Sequence, residues 1–265
     1  MTTSHHDHMR EVLTTDSAYT TRWPELDVTG IYAGPNSVDV AEVVDAHYGE
    51  YASGPLADPR ARMALASATL GVLRHASEYN AVIGEDTTGR YPALVVGNAI
   101  NLVRTEMGDE PARRLFVSGR IDLSRTRPDW QLVPGDETLV VTEYVAGGWS
   151  TKAVHDAVVA QSEAAPDYVV LGGNPEWCAR RHEDAEIRRT SRVFTGDRNC
   201  YSDYADTLFC QGRDSWKGVT KQDGDAHSKR VATSEARVNV AASRREAALF
   251  ATVLANYYLD AVQSD

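Results

Sequence analysis

The chain has 265 residues, of which 42% are hydrophobic, and its formal net charge is −11. This length suits one large domain or one domain with an appended lobe, and the apolar share is enough for a core. The acidic balance argues against a nucleic-acid partner, because proteins that bind nucleic acids usually carry a basic surface.

Cysteine content and apolar patterning bear on the compartment. Three cysteines are too few for a disulfide framework, and they stand at Cys178, Cys200 and Cys210. Cys178 and His182 could share a helix face, but a zinc site needs more ligands than this pair. No apolar run reaches the length of a membrane span, and the first residues lack the apolar core of a signal peptide. We therefore expect a soluble cytoplasmic protein without a membrane partner.

The first predicted elements follow a polar start. Residues 1–30 are polar and mixed, and residues 38–46 alternate apolar and acidic residues in a helix-like way. Asp58 and Pro59 suit the N-cap and the first position of a helix. Apolar residues at helical spacing follow, namely Ala66, Leu70 and Leu73. We therefore end an N-terminal segment at residue 58 and begin the core at residue 59.

Short apolar runs alternate with longer amphipathic ones between residues 59 and 175. They predict strands at 81–83, 114–117, 138–142 and 168–171, and helices at 93–104 and 150–162. The polar segments 84–92 and 119–130 predict loops. This alternation is typical of an α/β fold with a mostly parallel sheet flanked by helices, whose sites lie at the carboxyl ends of the strands.

The pattern weakens in the last third of the chain. Residues 174–206 are charged and irregular, whereas residues 236–262 predict a helix. The expected organisation is an N-terminal segment (1–58), a core (59–175) and a C-terminal extension (176–265) that completes the core.

The most informative segment is 139–160. An apolar run ends at Glu143, passes through Gly147 and Gly148, and reaches Ser150 at the start of an amphipathic stretch. A strand, a tight turn and a helix N-terminus in this order can hold a phosphate, because the helix end offers free N–H groups and partial positive charge. Glycine lets the backbone approach the phosphate oxygens.

Residues 140–150 resemble the phosphoribosyl-diphosphate loop of type I phosphoribosyltransferases. In that family two adjacent acids follow an apolar strand and precede a glycine-containing, hydroxyl-rich turn. Here Glu143 matches the second acid, Gly148 the central glycine and Ser150 the closing hydroxyl, whereas Thr142 stands where the first acid is expected.

The likeness extends to two further segments of the core. Residues 82–93 resemble the family's first loop, which receives pyrophosphate, and the residues implied for that role are Glu85, Asp86, Thr87, Thr88 and Gly89. The segment 119–130 lies where the family has a mobile flap, and it carries Arg120, Arg125 and Arg127. The resemblance therefore implies a phosphoribosyltransferase-like sheet, with a hood formed by the two ends of the chain.

The implied activity is transfer of a 5-phosphoribosyl group to a nitrogenous acceptor with release of pyrophosphate. Glu143 would bind the ribose hydroxyls, and the three arginines would neutralise the departing pyrophosphate. Mg²⁺ would bridge substrate oxygens rather than occupy a protein cage. The 5-phosphate would be held by the turn formed by Ala146, Gly147, Gly148, Trp149 and Ser150. The partners implied are phosphoribosyl diphosphate and a small-molecule acceptor, with no nucleic acid and a homodimer left open.

Other interpretations of the same residues stay open. The chain could be a binding module that holds a phosphorylated sugar or nucleotide without turnover. It could also be a generic nucleotide-binding α/β protein, although it lacks the usual glycine-rich dinucleotide and nucleoside-triphosphate motifs. Gly147 and Gly148 could form a purely structural turn, and Glu143 could be an exposed acid at a strand end. His155, on the following helix, is expected to be structural, and the sequence does not identify the acceptor.

Overall fold

The computed structural model describes nine segments of the chain, namely residues 31–33, 54–56, 59–117, 130–144, 149–172, 191–195, 222–223, 231–232 and 234–263. The predicted helix-like segment 38–46 lies outside these residues. So do the basic loop with Arg120, Arg125 and Arg127, and the turn residues Ala146, Gly147 and Gly148.

The described core is a six-stranded sheet in which every pair of neighbouring strands is parallel. Its strands lie in the order β1-β6-β5-β4-β2-β3. The strands are β1 (Ile31–Ala33), β2 (Ala81–Glu85), β3 (Arg113–Val117), β4 (Thr138–Tyr144), β5 (Asp167–Gly172) and β6 (Val193–Thr195). The prediction of an α/β fold with a parallel sheet is confirmed. A separate antiparallel pair joins β7 (Gln222–Asp223) and β8 (Val231–Ala232).

Helices cover both faces of the sheet. The described ones are a single 3-10 turn (Gly54–Leu56), α1 (Pro59–Leu73), α2 (Asp86–Met107), α3 (Trp149–Ser162) and α4 (Ser234–Gln263). One apolar cluster joins α1, α2 and α4 to the sheet face that includes Val82, Val141 and Val169. A second cluster joins α3 to the opposite face through Ile83 and Val140. The two clusters alternate along β2, β4 and β5, as the two-residue period of a strand requires.

Local chemistry sets the ends of the helices. Pro59 is the first residue of α1, where its missing N–H costs nothing. Gly108 ends α2 in the left-handed conformation, with φ 82°, and it closes the last turn onto the carbonyls of Arg104 and Thr105. The Arg104 guanidinium donates to the carbonyls of Ala76, Ser77 and Tyr79, and so ties α2 to the segment that follows α1.

The predicted loop at residues 84–92 is wrong. Strand β2 continues to Glu85, and α2 begins at the next residue. The glycines that suggested a turn serve close packing instead. A Cβ at Gly84 would lie 2.8 Å from a ring carbon of Phe116 and 2.9 Å from the Ala93 Cβ. A Cβ at Gly89 would collide with the Val141 carbonyl oxygen on β4.

The other predicted strands and helices are confirmed, and their ends move by three residues or fewer, except that α2 begins at Asp86 rather than at residue 93. The helix predicted at 93–104 is the later part of α2, and the helix predicted at 236–262 is α4. The segment 174–206, predicted to be irregular, contains strand β6, whose Phe194 is buried. With only three residues, β6 is too short to show a period.

Candidate functional site

The strand order places a topological switch point between β2 and β4. From β2 the chain passes to β3 on one side, and from β4 it passes to β5 on the other side. Ligands of open α/β sheets bind outside the carboxyl ends of the strands at such a point, because the two connections diverge there and leave a crevice. The candidate site is therefore the carboxyl edge of β2 and β4.

Two helices begin at this edge. Helix α2 starts directly after Glu85 and has 22 residues, and α3, which follows β4, has 14 residues. The first turn of each helix presents backbone N–H groups that no residue of its own helix can accept. The sequence-predicted residues in these turns are Asp86, Thr87, Thr88 and Gly89 in α2, and Trp149 and Ser150 in α3. The structure thus brings the two predicted anion-binding segments to neighbouring strands.

A buried hydrogen bond links the two junctions. The Thr151 hydroxyl of α3 donates to Glu85 Oε2 at 3.3 Å. Glu85 is 4% exposed and Thr151 is 1% exposed. Glu85 was predicted to line the pyrophosphate side, whereas Thr151 was not predicted as a site residue. The sequence signal that could have found Thr151 is its position directly after Ser150, one residue inside the helix.

Glu143 and Thr142 lie on opposite faces of β4. Glu143 follows the alternation of Leu139 and Val141 toward the layer of α1, α2 and α4, whereas Thr142 follows Val140 toward α3. Glu143 has no exposed surface, and Thr142 is 2% exposed. The interpretation of Glu143 as an exposed strand-end acid is therefore wrong. Contact between Glu143 and a sugar would require neighbouring groups to move aside.

The inner face of α3 carries a second buried polar contact. His155 lies one turn after Thr151, and its Nδ1 atom is 2.9 Å from the Tyr168 hydroxyl. Burial, and next the negative charge of Glu85, raises the pKa of Tyr168 well above its ordinary value. The phenol is thus protonated at neutral pH and can donate to Nδ1, which suits the tautomer with the proton on Nε2. This contact accounts for His155 as a structural residue of the core.

An exposed cation stands beside the α2 junction. Arg90 lies at the start of α2, and its guanidinium carbon is 5.9 Å from the centroid of the Phe116 ring. The aromatic face holds the guanidinium near the carboxyl ends of β2 and β3. Arg90 lies within the segment that resembles the pyrophosphate loop, but nothing in the sequence favours it over the arginines at 120, 125 and 127.

The described residues offer no ready-made metal cage. Within this part of the chain, three or more His, Cys, Asp or Glu side chains nowhere come together as metal ligands would. A magnesium ion that arrives on a diphosphate needs no such cage, since substrate oxygens and water supply most of its ligands.

Comparisons with known proteins add no assignment. No protein-family model, curated protein or solved structure matches this chain. Among the described helices, none combines the length and the apolar character needed to cross a bilayer.

Proposed function

We propose that this protein transfers a 5-phosphoribosyl group from phosphoribosyl diphosphate to a nitrogenous acceptor and releases pyrophosphate. One observation carries the proposal: the two segments that resemble the family's loops follow neighbouring strands at the switch point. The donor carries a phosphate at one end of its ribose and a diphosphate at the other. A protein that binds both ends needs two anion-binding segments side by side.

Each of the two strand-to-helix junctions binds one end of the donor. The turn that leads to Ser150, together with the first N–H groups of α3, binds the 5-phosphate. The first turn of α2, from Asp86 to Gly89, receives the diphosphate, and Arg90 adds a guanidinium that suits phosphate oxygens. Strand β3 ends at Val117 on the same edge of the sheet.

The reaction exchanges one bond at the anomeric carbon for another. The bond from ribose C1 to the diphosphate oxygen breaks, and its electron pair leaves with pyrophosphate. The acceptor nitrogen donates its lone pair to C1 and later loses a proton to solvent. Positive charge develops on the ribose between these events, and a carboxylate fixed nearby stabilises it. Magnesium brought in by the donor would neutralise part of the charge on the leaving group.

The direct test is pyrophosphate release from phosphoribosyl diphosphate and Mg²⁺ over a panel of nitrogenous acceptors. Donor binding is measured in parallel by thermal shift, where a ligand at about 100 times its dissociation constant adds about 2.7 kcal/mol of stability. Absence of both binding and release would overturn the proposal.

Ser150→Ala tests the assignment of the phosphate. The substitution removes one hydroxyl donor and leaves the helix backbone intact. We expect donor affinity to fall by about tenfold or more, the value for a hydrogen bond to a charged group. Ser77→Ala, at an exposed position after α1, is the control. Equal affinity of the two variants would show that the 5-phosphate lies elsewhere.

Two observations favour a second candidate, a module that binds the phosphorylated sugar without turnover. Thr142 takes the place of an acid, and Glu143 is wholly buried. Donor binding without pyrophosphate release for any acceptor would support this module.

A further inference from the structure

We propose that Glu85 supplies the carboxylate that position 142 lacks, and that it holds the ribose hydroxyls and stabilises the positive charge on the ribose. This inference rests on the proposed function. It assigns the role to a residue from the neighbouring strand, which neither the loop 140–150 nor its two adjacent acid positions would suggest.

Strand register places Glu85 beside Thr142. Strands β2 and β4 pair in parallel, and the last registered pair is Gly84 with Val141. Glu85 and Thr142 come one residue later on their strands. The strand period turns both side chains to the sheet face that packs against α3, since Ile83 and Val140 belong to that cluster. A carboxylate on β2 thus reaches the place where a longer acid at position 142 would project.

The Thr151 hydroxyl fixes the direction of this carboxylate. Its hydrogen bond to Glu85 Oε2 spans 3.3 Å and lies inside the protein. Thr151 directly follows Ser150, the residue proposed to bind the 5-phosphate. Glu85 is also the N-cap residue of α2, the helix proposed to receive the diphosphate. The carboxylate therefore lies between the two helix starts that are proposed to hold the two ends of the donor.

The surroundings of Glu85 suit a charge that acts on a cationic transition state. Helix N-termini favour a carboxylate, which offsets part of the cost of burial. The charge of Glu85 reaches Tyr168, two strands away, and contributes to raising the pKa of that phenol. Because water is largely excluded here, attraction between Glu85 and positive charge on the ribose is stronger than it would be at the surface.

Other acids near the edge fit the role less well. Glu143 projects from the opposite face of β4 and has no exposed surface. Asp86 is the first residue of α2 and lies beyond the end of β2. Glu85 shares the sheet face of Thr142, and its carboxylate accepts a hydrogen bond from Thr151 at the start of α3.

The test compares E85Q with the wild-type protein and with E106Q, which alters an exposed acid near the other end of α2. Glutamine keeps an oxygen that can accept from Thr151, so the substitution removes mainly the charge. We expect donor affinity and kcat/KM each to fall at least about tenfold in E85Q, with kcat falling more than KM rises. E106Q should match wild type. Wild-type kinetics in a folded E85Q would overturn the inference.

Two further variants extend the test, and one of them, E85D, keeps the inference testable if E85Q does not fold. T142E with E85Q returns an acid to the family's position, and it should recover activity that E85Q lacks. E85D keeps the charge but withdraws it by one methylene, so donor binding should weaken while the fold persists. Failure of the two proposals can be told apart. A wild-type protein that neither binds nor cleaves the donor refutes the function itself, whereas active wild type with fully active E85Q and E85D refutes only the role of Glu85.

Discussion

Gly89 lets the first turn of α2 lie directly on the backbone of β4. A Cβ at this position would collide with the Val141 carbonyl oxygen and would lie 3.4 Å from the Thr142 Cα. Both contacts are with backbone atoms of a central strand, and these atoms cannot shift without disturbing the sheet. The close contact holds the start of α2 over the end of β4, which is how the two halves of the candidate site stay together.

We expect Gly89→Ala to destabilise the protein by about 1–3 kcal/mol, the usual cost of overpacking. Gly71→Ala is the matched control, since its Cβ would meet only Phe194 at an ordinary 3.6 Å and alanine favours a helix. Urea unfolding of both variants measures the difference. Equal midpoints would mean that α2 is free to shift away from β4.

Residue roles at the site were only partly predictable. The sequence identified Glu85 and Gly89 as site candidates, but it treated Gly89 as part of a loop. A glycine needed for a turn and a glycine needed for close packing look the same in a sequence, because the difference lies in what stands opposite. Burial of Glu143 depends in the same way on helices that approach from distant parts of the chain.

A buried carboxylate joins three segments of the chain at the amino edge of the sheet. Asp167, the first residue of β5, accepts from the Tyr79 hydroxyl at 2.8 Å and from the Arg192 backbone N–H and Nε, each at 2.7 Å. Arg192 also donates to Glu78 Oε2 at 2.5 Å. The segment after α1, strand β5 and the start of β6 are thus held in one arrangement.

Because of this network, the free energy of unfolding depends on pH in the acidic range. Burial acts to raise the pKa of Glu78, but the hydrogen bonds from Arg192 and His75 outweigh it and lower the pKa below the ordinary 4.5. A lowered pKa in the folded state adds stability above pH 4.5, and that stability is lost as the pH falls through the folded value. In Glu78→Gln we expect the free energy of unfolding to fall less steeply below pH 4.5 than in the wild-type protein. The measurement is the urea midpoint of unfolding at a series of pH values from pH 7 to pH 3. A slope that matches Glu106→Gln would contradict the assignment.

Helices and strands were predictable where the spacing of apolar residues repeats over enough of the chain. Helices α3 and α4 and the buried strands β2, β4 and β5 show such runs, and each was located within a few residues. Strands β1 and β6 have three residues each, which is less than two periods. Strand β6 pairs with the edge of β5, and β1 pairs with β6, so both pairings join distant parts of the chain and no local pattern encodes them.

The last described helix, α4, covers one side of the apolar core. Helix α4 packs against α2 and α1, and its Phe250 is fully buried within the larger apolar cluster. The Tyr91 hydroxyl of α2 donates to Glu246 Oε2 of α4 at 2.9 Å. The layer that covers β2 and β4 therefore depends on residues from the end of the described chain.

Phe250→Ala should cost about 3–5 kcal/mol, as expected for a large aromatic side chain removed from a core. Its neighbour Leu249 is 45% exposed, and Leu249→Ala should change stability by about 0.5 kcal/mol or less. Thermal unfolding followed by circular dichroism compares the two. Similar melting temperatures would mean that α4 is not an integral part of the core.

The pairing of β1 with β6 has a consequence for biosynthesis. Ile31 is aligned with Val193, so β1 is synthesised about 160 residues before the strand with which it pairs. At about 5–20 residues per second, a ribosome takes roughly ten to thirty seconds to deliver that partner. During this interval the leading segment emerges with its final neighbour still unmade. A nascent chain halted before residue 193 should therefore leave residues 31–33 open to protease, whereas a chain released at full length should shield them.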